Sequence, residues 1–161
     1  TGEVSIAAFQ LPNPLRRALS AVEKDGKILL IGGLGQGASH FELLDYVTEL
    51  DVLTGIWREL PRLPFATFAP AAGTIGDDLF VFGGMFKTGE MDYRYVNHIF
   101  QLPGFNDAAS TWRHTGRYLK EAKGFSRVVP LDSHSLGVLG GHAYQHDTDA
   151  PVLTFETFGK Y

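Results

Sequence analysis

The strongest constraint on this chain is a stretch that it repeats. Asp77-Asp78-Leu79-Phe80-Val81-Phe82-Gly83-Gly84 is an acidic turn, a short run of β-forming apolar residues and a glycine pair. The run is too short for a typical helix and is bounded by turn residues, so it reads as a buried strand. The same pattern precedes it as Gly26-Lys27-Ile28-Leu29-Leu30-Ile31-Gly32-Gly33. It returns after it at Asp132 to Leu139, followed by Gly140-Gly141. The second glycines stand 51 and then 57 residues apart. Self-similarity at that period marks a solenoid, a propeller or an array.

Composition removes several function classes. Apolar residues make up 44 % and charged residues 20 % of 161 positions, the balance of a globular chain with a core. The net charge of -4 argues against an electrostatic nucleic-acid binder. Cysteine is absent, so disulfides, thiol nucleophiles and cysteine metal sites are out. The apolar runs are too short to span a bilayer, and no signal peptide is visible, so no membrane partner is expected. A first residue of Thr rather than Met leads to the expectation of a processed chain or an excerpt.

Strand signals then follow in order. Val4 to Phe9 alternates weakly, and Leu11-Pro12-Asn13-Pro14 ends it, because proline donates nothing to a ladder. Arg16 to Val22, Lys27 to Ile31, Tyr46 to Leu53 and Ile56 to Leu60 make a first unit, with Asp25-Gly26 as a hairpin turn. Ala69 to Ile75, Leu79 to Phe82, Val96 to Leu102 and Thr111 to His114 make a second. Phe125 to Leu131, Ser135 to Leu139 and Val152 to Phe158 make a third, with no Trp-bearing fourth strand after it. Met85 to Tyr95 and His142 to Pro151 read as polar loops.

Gly33-Leu34-Gly35-Gln36-Gly37-Ala38 fits the loose dinucleotide pattern and follows a strand. The glycine pair recurs at the other two sites without that continuation, and a phosphate loop has no reason to occur in triplicate. The glycines instead read as sharp turns where a neighbouring chain comes close.

Four short strands per unit, a Gly-Gly after the second and a Trp opening the fourth resemble the kelch repeat. The signature is Gly32, Gly33 and Trp57, then Gly83, Gly84 and Trp112, then Gly140 and Gly141. The resemblance covers roughly Arg16 to Phe158. Leu50 stands where a Tyr is usual, which makes this a divergent member. The resemblance implies an all-β, kelch-like β-propeller segment of about three four-stranded blades, at residues 16–64, 68–116 and 124–158. The third lacks its fourth strand, and residues 4–11 supply the outer strand of a preceding or closing blade. It also implies that both Trp side chains are inter-blade core. Propellers typically have 4–8 blades. Three blades therefore imply either the remainder of a longer chain or a homodimer completing a ring of about six.

Candidate chemistry is sparse. His142, His146, Asp147 and Asp149 are the residues most like a metal site, but a loop does not place H-x-x-x-H on one face, and no metal or cofactor is expected. No nucleophile-elbow, zincin or phosphate-loop motif is present, and no catalytic residue is assigned. In kelch-like propellers the loops after the second strand, and those joining one blade to the next, form the partner-binding face. Here these carry His40, Phe41, Phe86, Tyr93, Arg94, Tyr95, His142, Tyr144 and His146. Tyr and Arg carry much interface energy, and Glu90 to Tyr95 is the leading stretch. The expected function is a non-catalytic protein-interaction module. The alternative is a kelch-like enzyme or carbohydrate-binding domain, galactose-oxidase-like or sugar-epimerase-like.

Overall fold

The structure is a computed structural model that describes residues 2–12, 14–36, 41–89, 92–145 and 148–159. Every regular element among them is a β-strand, and all pairings are antiparallel. The first unit holds β1 (Arg16–Arg17), β2 (Ser20–Lys24), β3 (Lys27–Ile31), β4 (Leu34–Gln36), β5 (Phe41–Leu43), β6 (Val47–Asp51) and β7 (Trp57–Leu60). The second holds β8 (Ala71–Ile75), β9 (Asp78–Phe82), β10 (Met85–Lys87), β11 (Tyr93–Tyr95), β12 (His98–Leu102) and β13 (Arg113–Tyr118). The third holds β14 (Arg127–Asp132), β15 (Ser135–Leu139), β16 (His142–Gln145), β17 (Thr148–Pro151) and β18 (Phe155–Gly159).

Three main sheets result. Sheet I runs β2-β3-β6-β7, sheet II runs β8-β9-β12-β13, and sheet III runs β14-β15-β18. The repeated turn–apolar–glycine stretch is the second strand of each. Between the second and third main strands the chain forms a short hairpin: β4–β5 (with β1 alongside), β10–β11, and β16–β17. Two stretches that read as polar loops are thus paired strands. Arg16 to Val22, expected as one strand, is broken at Ala18 and Leu19 into β1 and β2. Val4 to Phe9 is not a strand: among the described residues none pairs with it, and Val4 and Ile6 are almost fully exposed.

Sheet II is the centre because it is covered on both faces. Its strands alternate sides, as period two requires. Leu79, Val81 and Leu102 pack with Leu29, Ile31, Val47 and Leu60 of sheet I. Phe80, Phe82 and Ile99 pack with Leu136, Val138 and Phe158 of sheet III. That double burial explains why Leu79 to Phe82 is apolar throughout rather than alternating. The sheets approach most closely through their first strands, where β8 lies against both β2 and β14. Gly73 of β8 makes this possible, since a Cβ there would stand 2.6 Å from Val128 Cγ1.

The two Trp side chains differ. Trp112 packs against the core between sheets I and II, and its Nε1 donates to the Pro61 carbonyl at 2.8 Å. Trp57 pairs across the ladder with Leu50, on the face of sheet I that points away from sheet II. It is half-buried there, and its Nε1 donates to the Gln10 carbonyl at 2.9 Å. The expectation that both are core between sheets is therefore corrected for Trp57. The region preceding sheet I supplies the carbonyl, but among the described residues no sheet covers the ring.

The first and third units are each led in by a cation whose side chain reaches across its own sheet, while at the same place in the second unit the Thr67 hydroxyl donates to the Met85 carbonyl at 2.8 Å. The Arg16 guanidinium donates to the Tyr46 carbonyl at 3.0 Å and to the Thr48 hydroxyl. Lys123, fully buried between sheets II and III, sits 2.8 Å from Glu156 Oε1 and donates to Thr154 Oγ1 at 3.3 Å. Lys123 is the sole partner of Glu156 Oε1 among the described residues. Lys123→Ala should cost about 3–5 kcal/mol, because it leaves a buried carboxylate oxygen without its counter-charge. Urea denaturation followed by circular dichroism measures this, and a loss below about 1 kcal/mol would contradict it.

Candidate partner-binding face

The glycine pairs position the three hairpins. In each pair both residues have positive φ, from +54° to +118°, so the chain kinks between the main strand and the hairpin. The two glycines have separate duties. The second packs against its own unit's lead-in: a Cβ on Gly84 would meet Thr67 Oγ1 at 2.6 Å, and one on Gly141 would meet the Gly124 carbonyl at 2.4 Å. The first makes room for the next unit's lead-in: a Cβ on Gly32 would stand 2.7 Å from the Thr67 carbonyl, and one on Gly83 2.3 Å from the Lys123 carbonyl. Those same carbonyls accept from the second glycines, Gly33 at 2.8 Å and Gly84 at 2.9 Å.

The lead-in segments tie the hairpins together at one end of the sheets. Bridges join Leu44 to Thr67, Phe68 to Met85, and Gly124 to His142. Ala69 N–H donates to the Ala18 carbonyl at 2.6 Å, and Phe125 N–H donates to the Ala69 carbonyl at 2.9 Å. Ala18, Ala69 and Phe125 all have left-handed backbone, with φ of 51°, 53° and 57°. The strain recurs in phase with the glycines, though none of the three is Gly. For Ala it costs about 1–2 kcal/mol, and for a ring as large as Phe it is a true outlier.

Phe125 was not visible as a site residue in the sequence. It is 44 % exposed, despite its strained backbone. Its ring lies edge-on to Phe68 at 6.1 Å and to His142 at 6.0 Å, and Phe68 meets Tyr93 at 6.0 Å. An aromatic path thus runs from β11 through two lead-ins to β16. The only sequence signal was its register with Ala18 and Ala69, just before a first strand.

Beside this path lies a cleft of about 530 Å³ between the second and third hairpins. Asp92, Tyr93, Arg94, Tyr144 and Glu121 line it. Arg94 is exposed and pairs with Asp92 at 3.3 Å, an ion pair that is worth little in water. Asp92 also accepts from the Thr88 hydroxyl at 2.7 Å; that bond first, and Arg94 second, hold its carboxyl below the usual range. Tyr144 is exposed, with its ring 5.1 Å from Tyr95. Tyr95 itself is 9 % exposed, and its hydroxyl donates to Asp149 Oδ1 at 3.0 Å. Burial, then that bond, raise its phenol pKa. Tyr95 also lines the cleft, but with so little of it exposed it chiefly packs the two hairpins together.

The remaining candidates separate. Phe41 is exposed on the first hairpin, under the Arg17 guanidinium at 4.4 Å. Phe86 is half-buried and meets Phe65 edge-on at 6.3 Å. The two share a smaller cleft of about 310 Å³ between the first and second hairpins. His142 Nδ1 stands 3.4 Å from Asp149 Oδ2. His40, Glu90, Met91, His146 and Asp147 lie outside the described residues. Among the described residues no three His, Asp or Glu side chains gather as metal ligands would.

No protein-family model matches the chain, and no curated protein matches it. Solved structures do. One is the structure of YjhT, with a TM-score of 0.74 and 22 % identity. The match covers 93 % of this chain and 44 % of that one, so this chain spans less than half of that protein's length. At that identity the likeness concerns the fold alone, an all-β arrangement of antiparallel sheets.

Proposed function

We propose that the chain is a kelch-like propeller segment, and that its hairpin face binds a protein partner. Sheets I, II and III are its three blades, and the close approach of β2, β8 and β14 marks the axis side. The observation that carries the binding assignment is Phe125. The repeat itself sets the left-handed backbone, as at Ala18 and Ala69, but a large, 44 % exposed ring there is costlier than alanine, and a binding role supplies a reason to keep it. Aromatic and Arg side chains around a cleft are what interface centres use, and Arg94, Tyr93 and Tyr144 surround this one.

The test separates binding from stability. Phe125→Gly removes about 1–2 kcal/mol of backbone strain, which offsets edge contacts worth about 1 kcal/mol. Its melting temperature should stay within a few degrees of the unmodified chain. Joined with Arg94→Ala and Tyr144→Ala, it should abolish capture of the partner that the immobilised chain retains. Undiminished capture by the triple variant would sink the assignment. The size of the 530 Å³ cleft and its Asp92, Arg94 and Glu121 lining support a second reading, a carbohydrate-binding or catalytic propeller. Ligand-induced stabilisation in a sugar screen would favour it, and a clean negative would retire it.

A further inference from the structure

The three hairpins are edged alike. The outer edge of each first strand is met by its own unit's lead-in: β4 by β1, β10 by Phe68 and β16 by Gly124. The second strands, β5, β11 and β17, have no such neighbour among the described residues. The edge of β11 lies along the cleft of about 530 Å³, whose other wall is Glu121, Ala122 and Tyr144. Both walls come from two consecutive units and the segment that joins them.

The register fixes which main-chain groups that edge presents. Val96 N–H donates to the Gly84 carbonyl at 3.0 Å, and Thr88 N–H donates to the Asp92 carbonyl at 2.9 Å. Phe86 faces Arg94 between them. Bonded and non-bonded pairs alternate along an antiparallel ladder, so Tyr93 and Tyr95 turn their N–H and C=O groups away from β10. Met85, opposite Tyr95, does the same on the other side, and both of its groups bond to Phe68, at 2.9 and 3.1 Å. Those of Tyr93 and Tyr95 meet no described residue. They are two donors and two acceptors in a row, facing the cleft.

From this edge we infer that the partner enters the cleft as an extended peptide segment and adds to β11 as a third strand of that hairpin. This rests on the reading of the hairpin face as the binding face, and names what it binds. Only an extended main chain matches a row of alternating donors and acceptors, as in other cases of strand addition. Side chains of the segment that share a face with Tyr95 meet the Tyr95 and Tyr144 rings, where β-branched residues pair well. Charge sets the remaining feature. Arg94 is already paired with Asp92. Glu121, on the opposite wall, has only the Thr154 hydroxyl at 3.2 Å and no cation among the described residues. The segment therefore carries a Lys or Arg side chain for Glu121, on a backbone of alternating β-branched residues.

The experiment is a fluorescence-anisotropy titration of the 161-residue chain into a labelled octapeptide of alternating Val and Thr, with one central Thr replaced by Lys. The octapeptide should bind. Two further versions carry N-methyl groups on the Val amides or on the Thr amides. Alternate amides face β11, so one version should bind about tenfold more weakly and the other little changed. Tyr93→Pro should weaken binding about tenfold beyond Tyr93→Ala, because both lose the ring and only proline loses the outward N–H. Should proline perturb the hairpin, seen as altered circular dichroism, the methylated pair still decides the matter. Glu121→Gln should remove the preference for Lys over Glu in the octapeptide. No binding up to about 1 mM, equal losses from the two methylated versions, or a Lys preference that survives Glu121→Gln would each overturn the inference. The binding face itself is judged separately, by capture with the triple variant, so strand addition can fail while the face stands.

Discussion

Gly83→Ala should destabilise the chain by about 3–4 kcal/mol, while the same change at Gly140 should cost only about 1–2 kcal/mol. The two glycines hold the same place in the repeat and have nearly the same φ, +58° and +54°. Left-handed backbone alone penalises alanine by about 1–2 kcal/mol at both. The difference is what lies opposite. At Gly83 the new methyl would be forced to within 2.3 Å of the Lys123 carbonyl, and the next unit's lead-in would have to shift. At Gly140 the nearest atom is 3.4 Å away, and among the described residues no following lead-in stands against it. Urea denaturation measures both. Equal losses would mean that the first glycine serves only the kink and not the passage of the next unit.

Phe82→Ala should be nearly as damaging, at about 3–5 kcal/mol. The ring is 1 % exposed, and it lies 5.2 Å from Phe158 of sheet III and 6.5 Å from Phe80. Removing it hollows the contact between sheets II and III, and a loss of this size is a large part of a domain's whole stability. Trp57→Ala should cost less, about 1–2 kcal/mol, although tryptophan is the larger side chain. On the outer face of sheet I Trp57 is only partly buried, beside the segment at Gln10, and it belongs to neither core cluster between the sheets. Thermal melts of the two variants give the ranking directly. A Trp57 loss exceeding that of Phe82 would place the main core elsewhere.

These two contrasts mark how far the sequence could be read. The strand following each acidic or glycine turn was legible, because β-formers bounded by turn residues and glycines leave few alternatives. The second and third strands of the first two units, and the fourth of the first, fell close to where alternation and turn signals place them, whereas the fourth strand of the second unit, expected at Thr111 to His114, is Arg113–Tyr118 and leaves Trp112 just before it. The hairpins were not legible. Met85 to Lys87 and Tyr93 to Tyr95 are polar and aromatic in no clear alternation, and they pair because the Gly83-Gly84 kink sets two short segments side by side. Val4 to Phe9 has a weak strand pattern and is not a strand, since a ladder needs a neighbour and the pattern cannot supply one.

The candidate face was legible by region and not by residue. Arg94, Tyr144 and Phe41 stand exposed on hairpins as their composition suggested. Tyr95 went the other way: an alternating Tyr-Arg-Tyr places its neighbours on opposite sides, and which side is buried depends on Gly124 and Asp149 across the junction. Phe125 escaped notice because its significance lies in a dihedral angle and a register, neither of which its identity declares. The lead-in residues Arg16, Thr67 and Lys123 likewise hold one place in the repeat, although two are long cations and one is a short hydroxyl.

By itself, then, the sequence determined the repeat, the all-β class and the strands that carry the core. Those follow from local rules: residue period, β-propensity and glycine's access to positive φ. Tertiary structure alone decided which face of each strand is covered, which glycine must stay small, and which aromatic rings stand exposed. Those depend on what lies across the gap between sheets, at separations of fifty residues or more along the chain, where no local pattern reaches.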